Sequence, residues 1–122
     1  MAFYESIIII RQDVSSADVD RIADDLKQVI KNYNGNVVKT EYWGLRTLAY
    51  EIQNNKKGHY YFIGIEADKP LIDELDRKIK LSESIIRSSL IRVNEISKEP
   101  SPILREKNSD NENTVDVTSN RN

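Results

Sequence analysis

Residues 37–66 read VVKTEYWGLRTLAYEIQNNKKGHYYFIGIE, two strand-like halves around a turn. The first half, 37–52, mixes Val, Thr, Tyr and Trp with charges, and Gly44 interrupts it as a bulge or bend would. Such half-polar composition predicts an edge strand. Asn54, Asn55 and Gly58 mark the turn, after which Tyr61, Ile63 and Ile65 alternate with Tyr60, Phe62 and Gly64. The whole stretch is a long hairpin.

Upstream, residues 3–10 are rich in aromatic and β-branched side chains, which suit a buried central strand. Ser15 and Ser16 then offer an N-cap to Val19, Ile22, Ala23, Leu26, Val29, Ile30 and Tyr33, spaced as one helix face requires, with Gly35 as the stop. Downstream, Pro70 fits the first turn of a second helix. Asp73 and Glu74 sit near its start and Arg77, Lys78 and Lys80 near its end, complementing the helix dipole. Leu71, Ile72, Leu75 and Ile79 supply its buried face. Residues 85–93 read as a fourth strand. The order βαββαβ is the split βαβ arrangement of ferredoxin-like folds, an α+β class in which two helices cover one face of a four-stranded antiparallel sheet. Tyr61, Ile63 and Ile65 are expected in the core, beneath Leu26, Ile30, Leu75 and Ile79.

A chain of 122 residues and 14.1 kDa fits one domain with room for a tail. The domain is expected over 1–96. From 97 to 122 there are two prolines, five asparagines, no aromatic and four aliphatics, too few to offset the entropy of ordering. That tail is expected to be disordered, and its removal to change stability by no more than about 0.5 kcal/mol. The absence of cysteine excludes disulfides, thiolate zinc sites and cysteine nucleophiles. The longest aliphatic run, Ile7 to Ile10, is far short of the roughly 20 residues of a membrane span, and the first residues carry no signal-peptide pattern. A cytosolic location is expected.

Charge is balanced overall, at −2, but unevenly distributed. Asp13, Asp18, Asp20, Asp24 and Asp25 surround a single Arg21, whereas Arg77, Lys78, Lys80, Arg87 and Arg92 stand against Glu83 alone, with Lys56 and Lys57 adding a smaller basic cluster. A surface basic at one end follows.

Catalysis has little to work with. His59 is the only histidine and reads as a solvent-facing turn residue without companions for a metal or a triad. No Gly-x-x-x-x-Gly-Lys phosphate loop occurs, and no glycine-rich loop follows the first strand as an acylphosphatase-like hydrolase would need. No enzyme, cofactor, metal or small-molecule substrate is expected. Residues 57–64 partly match the basic-Gly-aromatic signature of RNA-recognition motifs, but Gly64 replaces its last aromatic and Tyr60 its small residue. Core packing of these aromatics is the simpler reading. Arg87 and Arg92 lie on opposite faces of the last strand by parity, and with Lys56, Lys57, Lys78 and Lys80 they are candidates for phosphate contacts.

The opening Phe3-Tyr4-Glu5, the block Trp43-Gly44-Leu45-Arg46-Thr47-Leu48-Ala49-Tyr50, the run Lys56-Lys57-Gly58-His59-Tyr60 and the stretch from Leu81 to Arg87 together resemble the bacterial small-subunit ribosomal protein S-six family, over about residues 1–96. The resemblance implies a non-enzymatic role: binding the central domain of small-subunit ribosomal RNA together with ribosomal protein eighteen. By that resemblance Phe3, Tyr4 and Arg87 would face RNA, and Arg46 and Tyr50 would belong to the hairpin forming the RNA and partner surface. With the basic clusters added, the candidate RNA-binding residues are Phe3, Tyr4, Arg46, Lys56, Lys57, Arg87 and Arg92. The candidate partner-binding residues are Tyr42, Trp43, Leu45, Leu48 and Tyr50. Ala2 stands where many members are basic, so a phosphate contact there is lost. Two other readings stay open: a single-strand RNA binder of the recognition-motif type, and a ferredoxin-like regulatory or oligomerisation module without RNA.

Overall fold

The structure, a computed structural model, describes residues 1–105. Its elements are β1 (Ala2–Arg11), α1 (Ser16–Asn32), β2 (Asn36–Ile52), β3 (Asn55–Ala67), α2 (Lys69–Leu81), β4 (Ile85–Val93) and a single-turn α3 (Pro102–Arg105). All strand pairings are antiparallel, in the order β2-β3-β1-β4. The predicted ferredoxin-like βαββαβ fold is therefore present, with β1 central and β2 at an edge.

Alternation along the strands sends one set of side chains under the helices and the other onto an open face. Ile8 and Ile10 of β1, Tyr61, Ile63 and Ile65 of β3, and Ile85 of β4 form one buried cluster with Val19, Ala23, Leu26 and Ile30 of α1 and Leu71, Leu75 and Ile79 of α2. This is the core expected from the hairpin's alternation. A smaller cluster on the open face joins Ile9, Leu48 and Ile86, with Ile52 and Tyr60 against it.

Helix α1 starts where its serines predict, the Ser15 hydroxyl accepting from the Asp18 amide. Its end differs from expectation. Asn34, not Gly35, takes the left-handed conformation (φ 64°), while the amides of Asn34 and Gly35 bond back to Lys31 and Ile30. Gly35 is needed for space instead: a Cβ there would lie 2.4 Å from Leu71 Cδ1. The hairpin turn is also tighter than predicted. Gln53 and Asn54 both have positive φ, the pattern of a two-residue turn, so Asn55 and Gly58 already belong to β3.

His59 overturns its reading as a turn residue facing solvent. The tight turn carries it into β3 on the same side as Tyr61, and it is 6% exposed. The Tyr42 hydroxyl and His59 Nδ1 share a hydrogen bond of 2.8 Å, while Nε2 finds no partner among the described residues.

Candidate nucleic-acid and partner interface

The register of the sheet sorts the candidate residues into two groups. On the open face at the hairpin end, Arg11 of β1, Gly58 of β3 and Arg46 of β2 lie in one cross-strand row. Arg87 of β4 is opposite Ile9, one open-face position further along β1. Neighbouring strands are about 4.8 Å apart, so Arg11 and Arg46 leave the sheet roughly 10 Å from each other with a side chain of zero length between them. Lys56 and Lys57 are exposed just beyond this row.

Arg87 is held in place from the far edge. Its Nη1 donates to the Tyr50 hydroxyl at 2.8 Å and its guanidinium carbon lies 5.9 Å from the Tyr50 ring centre. The two residues come from opposite edge strands of a four-stranded sheet, so the β2–β3 hairpin must curl over the open face to bring them together. Leu48 shows the same curl, packing on Ile9 and Ile86. Arg87 stays exposed, and Tyr50 takes one of the five donors of a guanidinium fork. Arg46 Nε donates to the Trp43 carbonyl at 2.8 Å, which fixes the start of its side chain.

The remaining RNA candidates sit elsewhere. Tyr4 pairs with Arg92, and Phe3 with Val93, five and six positions along β4 from Arg87, roughly 17–20 Å. Parity puts Phe3 on the open face and Tyr4 and Arg92 on the helix side. Arg87 and Arg92 do fall on opposite faces.

The partner candidates are split by a bulge. Pairing shifts between Tyr42 and Gly44, where Gly44 adopts φ 96°, a conformation that favours glycine. Tyr42 and Leu45 consequently lie on the helix side, both part-exposed (43% and 47%), and Trp43, Leu48 and Tyr50 on the open side. Leu48 is buried in its own sheet at 7% exposure, whereas Tyr50 is 63% exposed. Burial pushes the Tyr42 hydroxyl pKa up, and the nearby Asp20 carboxylate adds to this.

Trp43 leads to contacts that the sequence did not announce. Its ring stacks on Phe62 (centroids 5.6 Å, planes 11° apart) and its Nε1 donates to Glu41 Oε1 at 2.9 Å. The same carboxylate accepts from the Ser101 hydroxyl (2.5 Å) and amide (3.1 Å) and pairs with Lys39 at 3.5 Å. Burial works against the Glu41 charge, yet the hydrogen bonds from Ser101 and Trp43 and the Lys39 charge outweigh it and hold the pKa below the usual carboxylate range. Residues 97–101, placed by composition in the polar tail, are thus bonded to β2. Of the rest of that tail, Pro102–Arg105 form α3 and 106–122 lie outside the described residues.

Sequence reasoning missed Arg11, Lys39 and Glu41. Only the register reveals Arg11 beside Arg46, and only the return of the chain reveals the other two. Among the described residues no cluster could hold a metal ion, and no helix is long and apolar enough to cross a membrane.

Comparison with known proteins adds a family. A family model described as Ribosomal protein S6 matches residues 3–92. Small ribosomal subunit protein bS6 of Rickettsia prowazekii (strain Madrid E) is 57% identical over 120 residues, 98% of this chain and 99% of that protein. The bS6 of Rickettsia bellii (strain RML369-C) is 53% identical over 120 residues, 98% and 100% of the two chains. Among solved structures, 30S ribosomal protein S6 from Thermotoga maritima superposes with a TM-score of 0.72 at 29% identity, covering 75% of this chain and 87% of that one.

Proposed function

Because the chain belongs to the ribosomal protein S6 family, and is with it a ribosome-associated protein of the small subunit in the cytoplasm, we propose that it binds the central domain of small-subunit ribosomal RNA jointly with ribosomal protein eighteen. The observation that carries this reading is the basic group at the hairpin end, Arg46, Lys56, Lys57 and Arg87, with Tyr50 steadying the Arg87 fork. Arginine forks match phosphate oxygens two at a time, and a fork already oriented loses less freedom on binding. Phe3 on the open face, and Tyr4 and Arg92 on the helix side, are separate candidate contacts at the other end of β1 and β4.

A net charge of −2 makes the isolated chain a weak ligand for RNA. A basic partner supplies the missing cations. The partner docks on β2, an edge strand of 17 residues paired with β3 alone among the described strands, along which Tyr42, Trp43, Leu45, Leu48 and Tyr50 lie. The role is structural, without catalysis.

The recognition-motif alternative is disfavoured by parity. The signature positions that stack bases fall here on His59 and Tyr61, and both are buried on the helix side. The test is Arg87→Ala in the three-component complex. Affinity should fall and the log-log salt slope should drop by about one, with the fold intact. Unchanged affinity and slope, or tight RNA binding by the isolated chain, would remove the reading.

A further inference from the structure

Between the pairs Thr47↔Lys57 and Ile52↔Asn55 the β2–β3 ladder sets four residues of β2, 48–51, against Lys56 alone. This second bulge of the hairpin is where β2 curls. Leu48 at its start and Ile52 just past its end pack on the open-face cluster with Ile9 and Ile86, and between them Tyr50 reaches the Arg87 fork. Beyond the bulge only one ladder pair and a two-residue turn remain, too little to fix the hairpin tip by themselves. Side chains fix it instead. Asn55 is 2% exposed, and both ends of its amide are engaged. Oδ1 accepts from the Gln12 amide at 3.0 Å, and Nδ2 donates to the carbonyls of Ile52 (3.2 Å) and Gln53 (3.0 Å). Gln12 returns the contact, its Oε1 accepting from the Lys57 amide at 3.1 Å. These bonds prolong the β1–β3 ladder past its last pair, Arg11↔Gly58, while the Arg11 amide donates to the Ser84 carbonyl, just ahead of β4, at 2.9 Å.

One acceptor facing an amide and two donors facing carbonyls is a set that, among side chains of this size, asparagine alone offers. An ionised aspartate has no donor for the two carbonyls, and leucine has neither group. Buried to this degree, Asn55 can touch neither RNA nor a partner protein, so any effect it has on binding passes through the residues it fixes. By tying Ile52 to Gln12 it closes the neck of the bulge that carries Tyr50, and through β1 it links that neck to the strand that carries Arg87. We infer that Asn55 is a positioning residue of the RNA surface, holding Tyr50 on Arg87 and so presetting the fork. The role depends on the RNA reading of Arg87. A fork released from Tyr50 has to be ordered on binding, at a cost of about two- to tenfold in affinity.

The test measures assembly of the full chain with ribosomal protein eighteen and a transcript of the central domain of small-subunit ribosomal RNA. Asn55→Ala, Tyr50→Phe, the double variant and Arg87→Ala are compared, once circular dichroism has established that each is folded. Asn55→Ala and Tyr50→Phe should each weaken the complex about two- to tenfold, and Tyr50→Phe should cost nothing further when Asn55 is already replaced. In NMR spectra of the free chain the Arg87 Nε–H group should lose its restricted motion in Asn55→Ala as in Tyr50→Phe, a change that a role confined to stability would not produce. If Asn55→Ala does not fold, Gln12→Ala, at an exposed position, loosens the same tie from its other end and is read by the same criteria. Full affinity in Asn55→Ala while Arg87→Ala weakens the complex would overturn the role of Asn55 and leave the RNA reading standing. Equal losses from Tyr50→Phe with and without Asn55 would do the same. Unchanged affinity in Arg87→Ala would instead remove the RNA reading, and the role of Asn55 with it.

Discussion

Replacing Glu41 by Gln keeps the shape of the side chain and changes only what its second oxygen offers. In the native protein Oε1 accepts from Trp43 Nε1 and the Ser101 hydroxyl, while Oε2 accepts from the Ser101 amide and faces Lys39. A Gln oxygen can retain the first pair of bonds. Its NH2 group then meets two donors, the Ser101 amide and the Lys39 ammonium. One charge-assisted hydrogen bond is lost, worth about 1.5–3 kcal/mol, and a largely buried ammonium loses its counter-charge. The expected destabilisation is about 2 kcal/mol at pH 7. Urea unfolding followed by far-ultraviolet circular dichroism measures it, with the slope against urea unchanged.

The pH dependence supplies an independent sign. The Glu41 pKa is lower in the folded chain than in the unfolded one, so its contribution is complete above the unfolded pKa, about 4.3, and is lost as pH falls through the folded value. The gap between wild type and Glu41→Gln should therefore close on acidification. Combining Glu41→Gln with Ser101→Ala should cost less than the two single losses added, with a coupling of about 1 kcal/mol. A difference below about 0.5 kcal/mol at pH 7, or a gap that widens in acid, would refute the assignment of Glu41 as the anchor of Ser101 on β2.

Truncation after Ile96 tests the proposed division at that residue. The contacts of Ser97, Glu99 and Ser101 lead us to expect a loss above about 1 kcal/mol in the same urea assay, against the 0.5 kcal/mol that composition alone suggests. Ile63→Ala, at a core position 1% exposed, should cost about 2–5 kcal/mol by thermal or urea unfolding. Tyr42→Phe removes the hydrogen bond to His59 Nδ1 and should cost about 1 kcal/mol, with the His59 ring resonances shifting in NMR spectra.

The fold was legible because its signals are local and agree with one another. Ser15 caps α1, Pro70 opens α2, and alternation from Tyr61 to Ile65 assigns the helix side of β3 without knowledge of any partner strand. Gly44 announced its bulge for a similar reason: a glycine inside a strand is costly unless the backbone needs it. What remained hidden depends on register or on side chains acting at a distance. His59 looked like a loop residue because Gly58 was read as part of the turn, whereas two positive-φ residues, Gln53 and Asn54, complete the turn on their own. The site was partly legible. Arg46, Arg87 and Tyr50 were named as candidates, but nothing in their spacing says that Tyr50 reaches across to the opposite edge. Glu41 and Ser101, 60 positions apart, carry no pairing signal at all.

The position of β1 in the sheet also sets a timetable for synthesis. Arg11, at the end of β1, waits for Gly58, and Phe3 waits for Glu66 and then Val93. At roughly 5–20 residues per second, the run Ile7 to Ile10 leaves the ribosome several seconds before its first partner strand exists. A bare tetra-isoleucine segment is the kind of stretch that pairs with another chain. Its flanks, Glu5 and Ser6 on one side and Arg11, Gln12 and Asp13 on the other, are charged or polar, and they guard the nascent strand until the hairpin arrives to enclose it.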